Sequence, residues 1–165
     1  MASRWLLDTS ALLALRDDEA GAERVSALLR QAISGQGQVL ACFMTRMEVL
    51  YRVWKDENER RARLADAQLQ ALPILWVVAS DALLEQAAAI KACHALSVAD
   101  AWMAAAARQE GAVLVHKDPE FQVISSLSQE WLGCEQQPRL SDLGTIRFLK
   151  RAGLRQAQHP LNESS

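Results

Sequence analysis

Four acidic residues stand where a predicted strand ends or a predicted helix begins. Asp8 follows the apolar stretch SRWLL, and Asp118 follows the apolar stretch AVLVH. Glu48 and Asp100 lie in the first turns of two predicted helices. Carboxylates that gather in one place repel one another and raise one another's pKa unless a cation lies among them. Such oxygen ligands select Mg²⁺ or Mn²⁺, ions that support hydrolysis of phosphodiester bonds.

The elements that would position these acids alternate between strand and helix. Short apolar runs predict strands at SRWLL, QVLACF, ILWVV and AVLVH. Helical spacing and capping residues predict helices near 10–15, over about 20–33, from Thr45, over about 57–71, from Ser80 to about 93, from Ser97 to Gly111, and from Asp118-Pro119. This order predicts an α/β fold, in which a parallel sheet of four or five strands carries helices on both faces. In such a sheet, strand ends and helix starts meet along one edge, where ligands bind.

Each acid also has a purely structural explanation as a helix cap. T-R-M-E, ending at Glu48, and S-V-A-D, ending at Asp100, have the pattern of a capping box. Asp8 and Asp118 are suited to N-cap positions, the latter because a proline follows it. Asp81 follows the third predicted strand, so position at the sheet edge does not exclude it from a cluster. Spacing alone therefore predicts a site without choosing its members.

Three segments resemble the successive signatures of one protein family. LLDTSALLAL, TRMEVLYR and LSVADAWMAAAARQEGAVLVHKDPEF are similar to those of the PIN-domain family, in particular the toxin ribonucleases of bacterial and archaeal toxin–antitoxin pairs. The resemblance covers roughly residues 4–125 and implies a PIN-like α/β/α sandwich. It also implies an endoribonuclease that depends on Mg²⁺ or Mn²⁺. Family members form homodimers, and a small antitoxin holds the toxins inactive by occupying the active-site groove.

The resemblance also assigns site residues, which the spacing did not. The family's four acids, catalytic and metal-binding, fall on Asp8, Glu48, Asp100 and Asp118. This match leaves Asp81 out, and Glu120 corresponds to a further acidic position that some members use.

Several neighbours of these acids are candidates for supporting roles. The hydroxyls of Thr9 and Ser10 would either steady the metal ligands or a phosphate, or cap a helix. Ser97 is predicted to cap the helix that carries Asp100. His116 departs from the family pattern, which has Thr or Ser two residues before the fourth acid. An imidazole is larger than a hydroxyl and titrates near neutral pH. We therefore expect His116 to change how the neighbouring Asp118 is held.

Basic residues near the second acid are candidates for RNA contact. Arg46 and Arg52 would place positive charge at the rim of an acidic site that must hold a phosphate backbone. A second basic cluster near the end of the chain contains Arg147, Lys150 and Arg151. The aromatic residues Tyr51 and Trp54 are predicted to pack in the core rather than in a partner-binding groove.

Length and composition limit the remaining possibilities. The chain has 165 residues and a formal charge of −2, which predicts a globular protein and excludes binding of nucleic acid by bulk charge. We expect a nuclease domain over residues 1–138 and a basic extension with a frayed tail over 139–165. No apolar run reaches the roughly 18 residues of a membrane span, and three scattered cysteines favour a reducing cytoplasm.

Two other function classes compete with a nuclease. The same fold could serve as a non-catalytic module that binds protein or RNA, its acids acting mainly as helix caps. A phosphoryl-transfer protein fits less well, because a phosphatase of that kind would carry D-x-D-x-T where this chain has D-T-S at Asp8.

Overall fold

The computed structural model describes residues 3–133, in which strands and helices alternate. The strands of this part of the chain are β1 (Ser3–Leu7), β2 (Gly37–Cys42), β3 (Ile74–Val77), β4 (Val113–His116) and β5 (Gln129–Trp131). Its α-helices are α1 (Thr9–Asp17), α2 (Ala22–Ile33), α3 (Phe43–Asp56), α4 (Glu59–Gln70), α5 (Asp81–Cys93) and α6 (Val98–Gln109), and a 3₁₀ helix spans Pro119–Val123. The predicted domain boundary after residue 138 and the basic cluster of Arg147, Lys150 and Arg151 lie outside the described residues.

The five strands form one parallel sheet in the order β3-β2-β1-β4-β5. The chain leaves β1 for β2 on one side and later returns to β4 on the other side, so the strand order reverses at β1. Leu7 lies opposite Val115, and the backbone N–H of Asp8 donates to the carbonyl of Val115 at 3.1 Å. The carboxyl ends of β1 and β4 therefore open side by side, in the crevice where parallel sheets bind ligands.

Helices cover both faces of the sheet, as an α/β/α sandwich requires. Side chains alternate along β1, so Leu7 packs with the layer of α1–α4 and Leu6 with the layer of α5 and α6. The consecutive alanines of α6, residues 104–107, are fully buried. Their small side chains allow α6 to lie close to the sheet, and this fixes Asp100 at the helix start. The predicted fold class is confirmed.

Helix α3 begins earlier than the sequence pattern predicts. Its N-cap is Cys42, which makes no side-chain capping bond, and Thr45 already lies inside the helix. The Thr45 hydroxyl is buried and has no hydrogen-bond partner among the described residues. The capping-box interpretation of T-R-M-E is therefore wrong, and Glu48 lies in the second turn rather than the first. Strand β2 runs directly into the helix, which leaves no separate capping residue.

The buried side of α3 also differs from the prediction. Val49 and Val53 face the core, whereas Met47, Tyr51 and Trp54 are 46%, 47% and 42% exposed. The prediction that Tyr51 and Trp54 pack in the core is therefore wrong. The β-branched residues fit the narrow space against α4 and the sheet, and the larger aromatic side chains lie on the opposite side of the helix.

The end of the described region adds two details. The predicted short helix at Asp118-Pro119 is a 3₁₀ helix, and the three-residue strand β5 pairs in parallel with β4 at the edge of the sheet. No helix within residues 3–133 combines the length and the apolar character needed to cross a membrane.

Candidate metal centre

Three acids converge at the end of β4 and the start of α6. Carboxylate oxygens of Asp100, Asp118 and Glu120 lie within 4.8 Å of one another. Asp100 belongs to the first turn of α6, and the other two belong to the 3₁₀ helix and its N-cap. The sequence ranked Glu120 as the weaker candidate, and the structure places it in this group. Carboxylates this close repel one another, and a bound divalent cation would remove that repulsion.

Asp8 lies at the end of the central strand and is only 3% exposed. It is the N-cap of α1, since one carboxylate oxygen accepts the backbone N–H of Ala11 at 2.7 Å. Burial raises the pKa of Asp8 to about 7, and the nearby charge of Asp100 adds to the shift. The hydrogen bonds from Ala11 and Ser10 act in the opposite direction. Asp8 is therefore a buried carboxyl whose charge a cation would stabilise.

Ser10 connects Asp8 to the segment that carries Asp118. The backbone N–H of Lys117 donates to the Ser10 hydroxyl oxygen at 2.8 Å. The same hydroxyl lies 2.8 Å from both carboxylate oxygens of Asp8, to which it donates. One side chain thus fixes the start of α1 against the end of β4. Sequence reasoning missed Lys117, because its contribution here is a backbone N–H.

Thr9 connects Glu48 to the same junction. Its buried hydroxyl donates to a carboxylate oxygen of Glu48 at 2.6 Å and also contacts the sulfur of Met103. Glu48 is the acid that α3 contributes, and it is partly buried. It is not one of the three acids whose oxygens lie within 4.8 Å of one another. Glu48 is instead held by Thr9, the residue that directly follows Asp8 in the chain.

Capping bonds also lie beside Asp100 and Asp118, as the sequence predicted. The Ser97 hydroxyl accepts the backbone N–H of Asp100 and donates to the Asp100 carboxylate at 2.5 Å. Asp118 caps the 3₁₀ helix by accepting the backbone N–H of Glu120 at 2.9 Å. Capping and clustering are thus compatible, because the capping bonds aim the carboxylates at one another.

His116, the departure from the family pattern, supports the Asp118 segment from the core side. Its ring is buried and lies edge-on to Phe121 and Trp131. Nδ1 lies 2.8 Å from the backbone carbonyl oxygen of Asp118, and Nε2 lies 3.0 Å from the side-chain oxygen of Gln129. Burial lowers the pKa of His116 below its usual value. The imidazole therefore holds the backbone at Asp118 and makes no hydrogen bond to the acid side chains.

The remaining candidates fall into separate places. Asp81 lies in the first turn of α5, after the edge strand β3, and is not a member of the acidic group found within residues 3–133. The guanidinium of Arg46 is held by both carboxylate oxygens of Asp66 on α4, at 2.7 and 3.0 Å. Arg52 lines a cleft that Ser10 also borders.

The sequence matches the PIN domain family over residues 5–127. The chain belongs to the PIN domain family. No curated protein matches the sequence.

Solved structures with the same fold come from bacterial toxin–antitoxin systems. VapBC2 from Rickettsia felis, bound to a DNA fragment from its promoter, has a TM-score of 0.62 at 14% identity, covering 77% of this chain and 97% of that one. DNA-bound VapBC from Salmonella typhimurium has a TM-score of 0.60 at 18% identity, covering 81% and 100%. Mycobacterium tuberculosis VapC20, a sarcin–ricin loop cleaving toxin, has a TM-score of 0.57 at 24% identity, covering 74% and 95%. These similarities show that the chain shares the fold of these proteins.

We predict that Asp8→Asn stabilises the metal-free PIN domain at neutral and alkaline pH. The folded-state pKa of Asp8 is raised, so the stability linked to its protonation is full below about pH 4 and is lost as the pH rises through about 7. The advantage of Asn over Asp should grow across that range, to on the order of 2–4 kcal/mol. Chemical denaturation in EDTA at several pH values measures it.

Asp66→Asn is the control with the opposite sign. Arg46 lowers the pKa of Asp66, so the Asp66 carboxylate stabilises the fold at neutral pH and loses this effect only in acid. Asp66→Asn should therefore destabilise the domain at pH 7. Equal pH dependence of the two variants would contradict the burial of a charge at Asp8.

Proposed function

We propose that this PIN domain is an endoribonuclease that depends on Mg²⁺ or Mn²⁺ and is the toxin of a toxin–antitoxin pair. The observation that carries the proposal is the convergence of Asp100, Asp118 and Glu120 above a buried Asp8, at the crevice of the sheet. The charge of Asp100 also acts on the distant Asp8, and these carboxylates repel one another in the absence of a cation.

The donor set fits a hard divalent cation, since every ligand it offers is a carboxylate oxygen. Asp100, Asp118 and Glu120 would hold the ion, with Asp8 beneath and Glu48 as the acid that α3 adds. Bound there, the ion would polarise the scissile phosphodiester and lower the pKa of an attacking water.

The chain's own residues keep this site in register. Ser10 donates to Asp8 and so favours its charged, ligating form, against the effect of burial. Thr9 holds Glu48, Ser97 holds Asp100, and His116 holds the backbone of Asp118. Hydroxyl groups thereby hold the carboxylates of Asp8, Glu48 and Asp100, and Asp118 is held at its backbone, before any ion binds. Such preorganisation is what a hydrolytic metal site requires.

RNA as the substrate follows from the family resemblance and from the similarity to a sarcin–ricin loop cleaving toxin. Of the two predicted RNA contacts, Arg52 borders the cleft beside Ser10, whereas Arg46 is already paired with Asp66. We therefore assign RNA contact to Arg52 first. Arg46 would take part only by leaving its carboxylate.

A small antitoxin is the proposed partner, in keeping with the VapBC complexes that share the fold. We also propose that the toxin forms a homodimer and acts in the cytoplasm. Met47, Tyr51 and Trp54 leave an apolar face of α3 open to such protein contacts. Co-purification with the product of the adjacent gene, followed by size-exclusion chromatography with light scattering, tests both assemblies.

A non-catalytic binding module is the second candidate. It is favoured by the helix caps, since Asp8 and Asp118 make capping bonds that need no metal. Metal uptake separates the two candidates, because acids that act only as caps would not bind the ion.

We predict that Asp100→Asn and Asp118→Asn each reduce RNA cleavage about a hundredfold or more, because each removes a ligand charge from the ion. Asp81→Asn is the matched control, since Asp81 also lies at the start of a helix but outside the acidic group. Initial rates on a single-stranded RNA with saturating Mn²⁺ measure the effect. Wild-type rates in both site variants would sink the assignment, provided that their circular dichroism is unchanged.

We also predict that Mn²⁺ raises the melting temperature of the wild-type protein by several degrees once its concentration is far above Kd. Asp118→Asn should weaken this response, and Asp81→Asn should keep it in full. Differential scanning fluorimetry with a Mn²⁺ titration measures the response. An unchanged melting temperature in all three proteins would favour the non-catalytic module.

A further inference from the structure

A cleft of about 370 Å³ lies between α1 and α3, beside the acidic site. Ser10 and Lys117, which adjoin the acids, line one end together with Arg52 and with Glu19, the partner of Lys117. Leu13 and Val53 are the apolar residues of its lining. Asp17 and Asp56 lie one to two turns farther along α1 and α3. Nothing in the proposed metal chemistry uses this cleft, so its lining calls for an explanation.

The near end of the cleft is continuous with the metal centre. Ser10 belongs to both, because it lines the cleft and hydrogen-bonds Asp8. Arg52 lies one helical turn after Glu48, on the same side of α3. Lys117 directly precedes Asp118 in the chain. A strand whose phosphate sits at the acids would therefore enter the cleft with its neighbouring phosphate.

The near end also offers positive charge that is available to a ligand. Arg52 makes no hydrogen bond or ion pair within residues 3–133, unlike Arg16, which is bonded to Asp17 and Glu57. Lys117 pairs with Glu19 at 2.9 Å, but Glu19 is largely exposed, and exposed pairs of this kind are weak. A phosphate can thus replace Glu19, and a guanidinium can bind it through two parallel hydrogen bonds.

The far end has the opposite character. Asp17 and Asp56 line it, and burial raises the pKa of Asp17, with a smaller contribution from the charges of Glu19, Glu57 and Asp56. Arg16 also lines the cleft at this end, but it is already paired with Asp17 and with Glu57, and Arg61 lies on the other oxygen of Glu57. A second phosphate in the cleft would meet net negative charge. The cleft therefore has space and charge for one phosphate.

We propose that this cleft is a subsite for one backbone phosphate of single-stranded RNA, the phosphate next to the scissile one, held by Arg52 and Lys117. The acids beyond it turn the strand out of the cleft. This inference rests on the proposed nuclease function, and it adds the path and the reach of the substrate.

The test is a charge cycle between protein and RNA. Full-length protein with Asp100→Asn, which prevents cleavage, is titrated into a fluorescent single-stranded RNA that contains the mapped cleavage site, and binding is followed by anisotropy. Arg52→Met removes the proposed contact, and Arg60→Met on exposed α4 is the matched control. The RNA is made with one neutral methylphosphonate at each position around the cleavage site in turn.

We expect Arg52→Met to weaken RNA binding roughly tenfold or more. The slope of log Kd against the logarithm of the salt concentration should fall by about one, the value for one lost phosphate contact. Arg60→Met should change Kd by less than about twofold. One methylphosphonate, adjacent to the scissile position, should weaken RNA binding by the protein that keeps Arg52. The same methylphosphonate should have no further effect on RNA binding by the Arg52→Met variant. Asp17→Asn with Asp56→Asn should increase affinity only for RNA that extends past this phosphate.

Equal affinities of Arg52→Met and Arg60→Met for RNA would overturn the subsite. So would a loss in Arg52→Met that affects antitoxin capture but not RNA, since the cleft would then belong to the antitoxin. Cleavage by the wild-type protein in Mn²⁺ is measured separately. Its absence would reject the proposed nuclease, and the comparison of Arg52→Met with Arg60→Met on an unmodified single-stranded RNA would still report whether Arg52 holds a phosphate.

Discussion

A carboxylate buried at the end of the central strand is the constraint on which the rest of the structure depends. Asp8 is almost wholly removed from solvent, and such burial opposes ionisation. A backbone N–H of α1 and the hydroxyl of Ser10 donate hydrogen bonds that favour the ionised carboxylate, yet the pKa of Asp8 is still raised to about 7. The neighbouring negative charge of Asp100 acts against it as well. An additional positive charge would favour the ionised form of Asp8, and within residues 3–133 the hydrogen bonds to its carboxylate come only from uncharged groups.

The sheet topology makes this arrangement possible. Because β1 lies between β2 and β4, the segments that follow β1 and β4 emerge side by side, and α6 begins above them. The register between Leu7 and Val115 fixes the height of Asp8 relative to the segment that carries Asp118. A slip of one residue would turn Leu7 toward the opposite layer and separate the acids. Hydrophobic packing on both faces thus determines the geometry of a polar site.

Much of this arrangement could be predicted from the sequence, because its signals are local. Apolar runs marked β1 to β4, and the capping roles of Ser80 and Ser97 followed from their positions before helical patterns. The family resemblance ordered the acids. What the sequence did not reveal depends on contacts between distant elements. Arg46 resembled a free cation until α4 placed Asp66 against it.

The errors on α3 have a related cause. Met47, Tyr51 and Trp54 repeat at helical spacing as a core stripe would, but spacing does not show which stripe faces the sheet. The valines at 49 and 53 occupy that side, and the aromatic residues are exposed. Strand β5 was too short and too polar to be located, since only its pairing with β4 defines it. Tertiary packing determines which face of α3 is buried and where β5 pairs, and the pattern of a single sequence does not show either.

The buried imidazole of His116 has a consequence for how this protein can vary. Its two ring nitrogens lie within hydrogen-bond distance of the Asp118 backbone carbonyl and of the Gln129 side-chain oxygen. The Gln129 side-chain nitrogen in turn donates to the carbonyls of Phe121 and Ile124. The acidic loop and the outermost strand are thus parts of one hydrogen-bonded unit. A smaller hydroxyl residue at position 116 would remove the partner of the Gln129 side-chain oxygen, so the two positions are coupled. Redesign of the sheet margin would then alter the spacing of the acids without touching any of them.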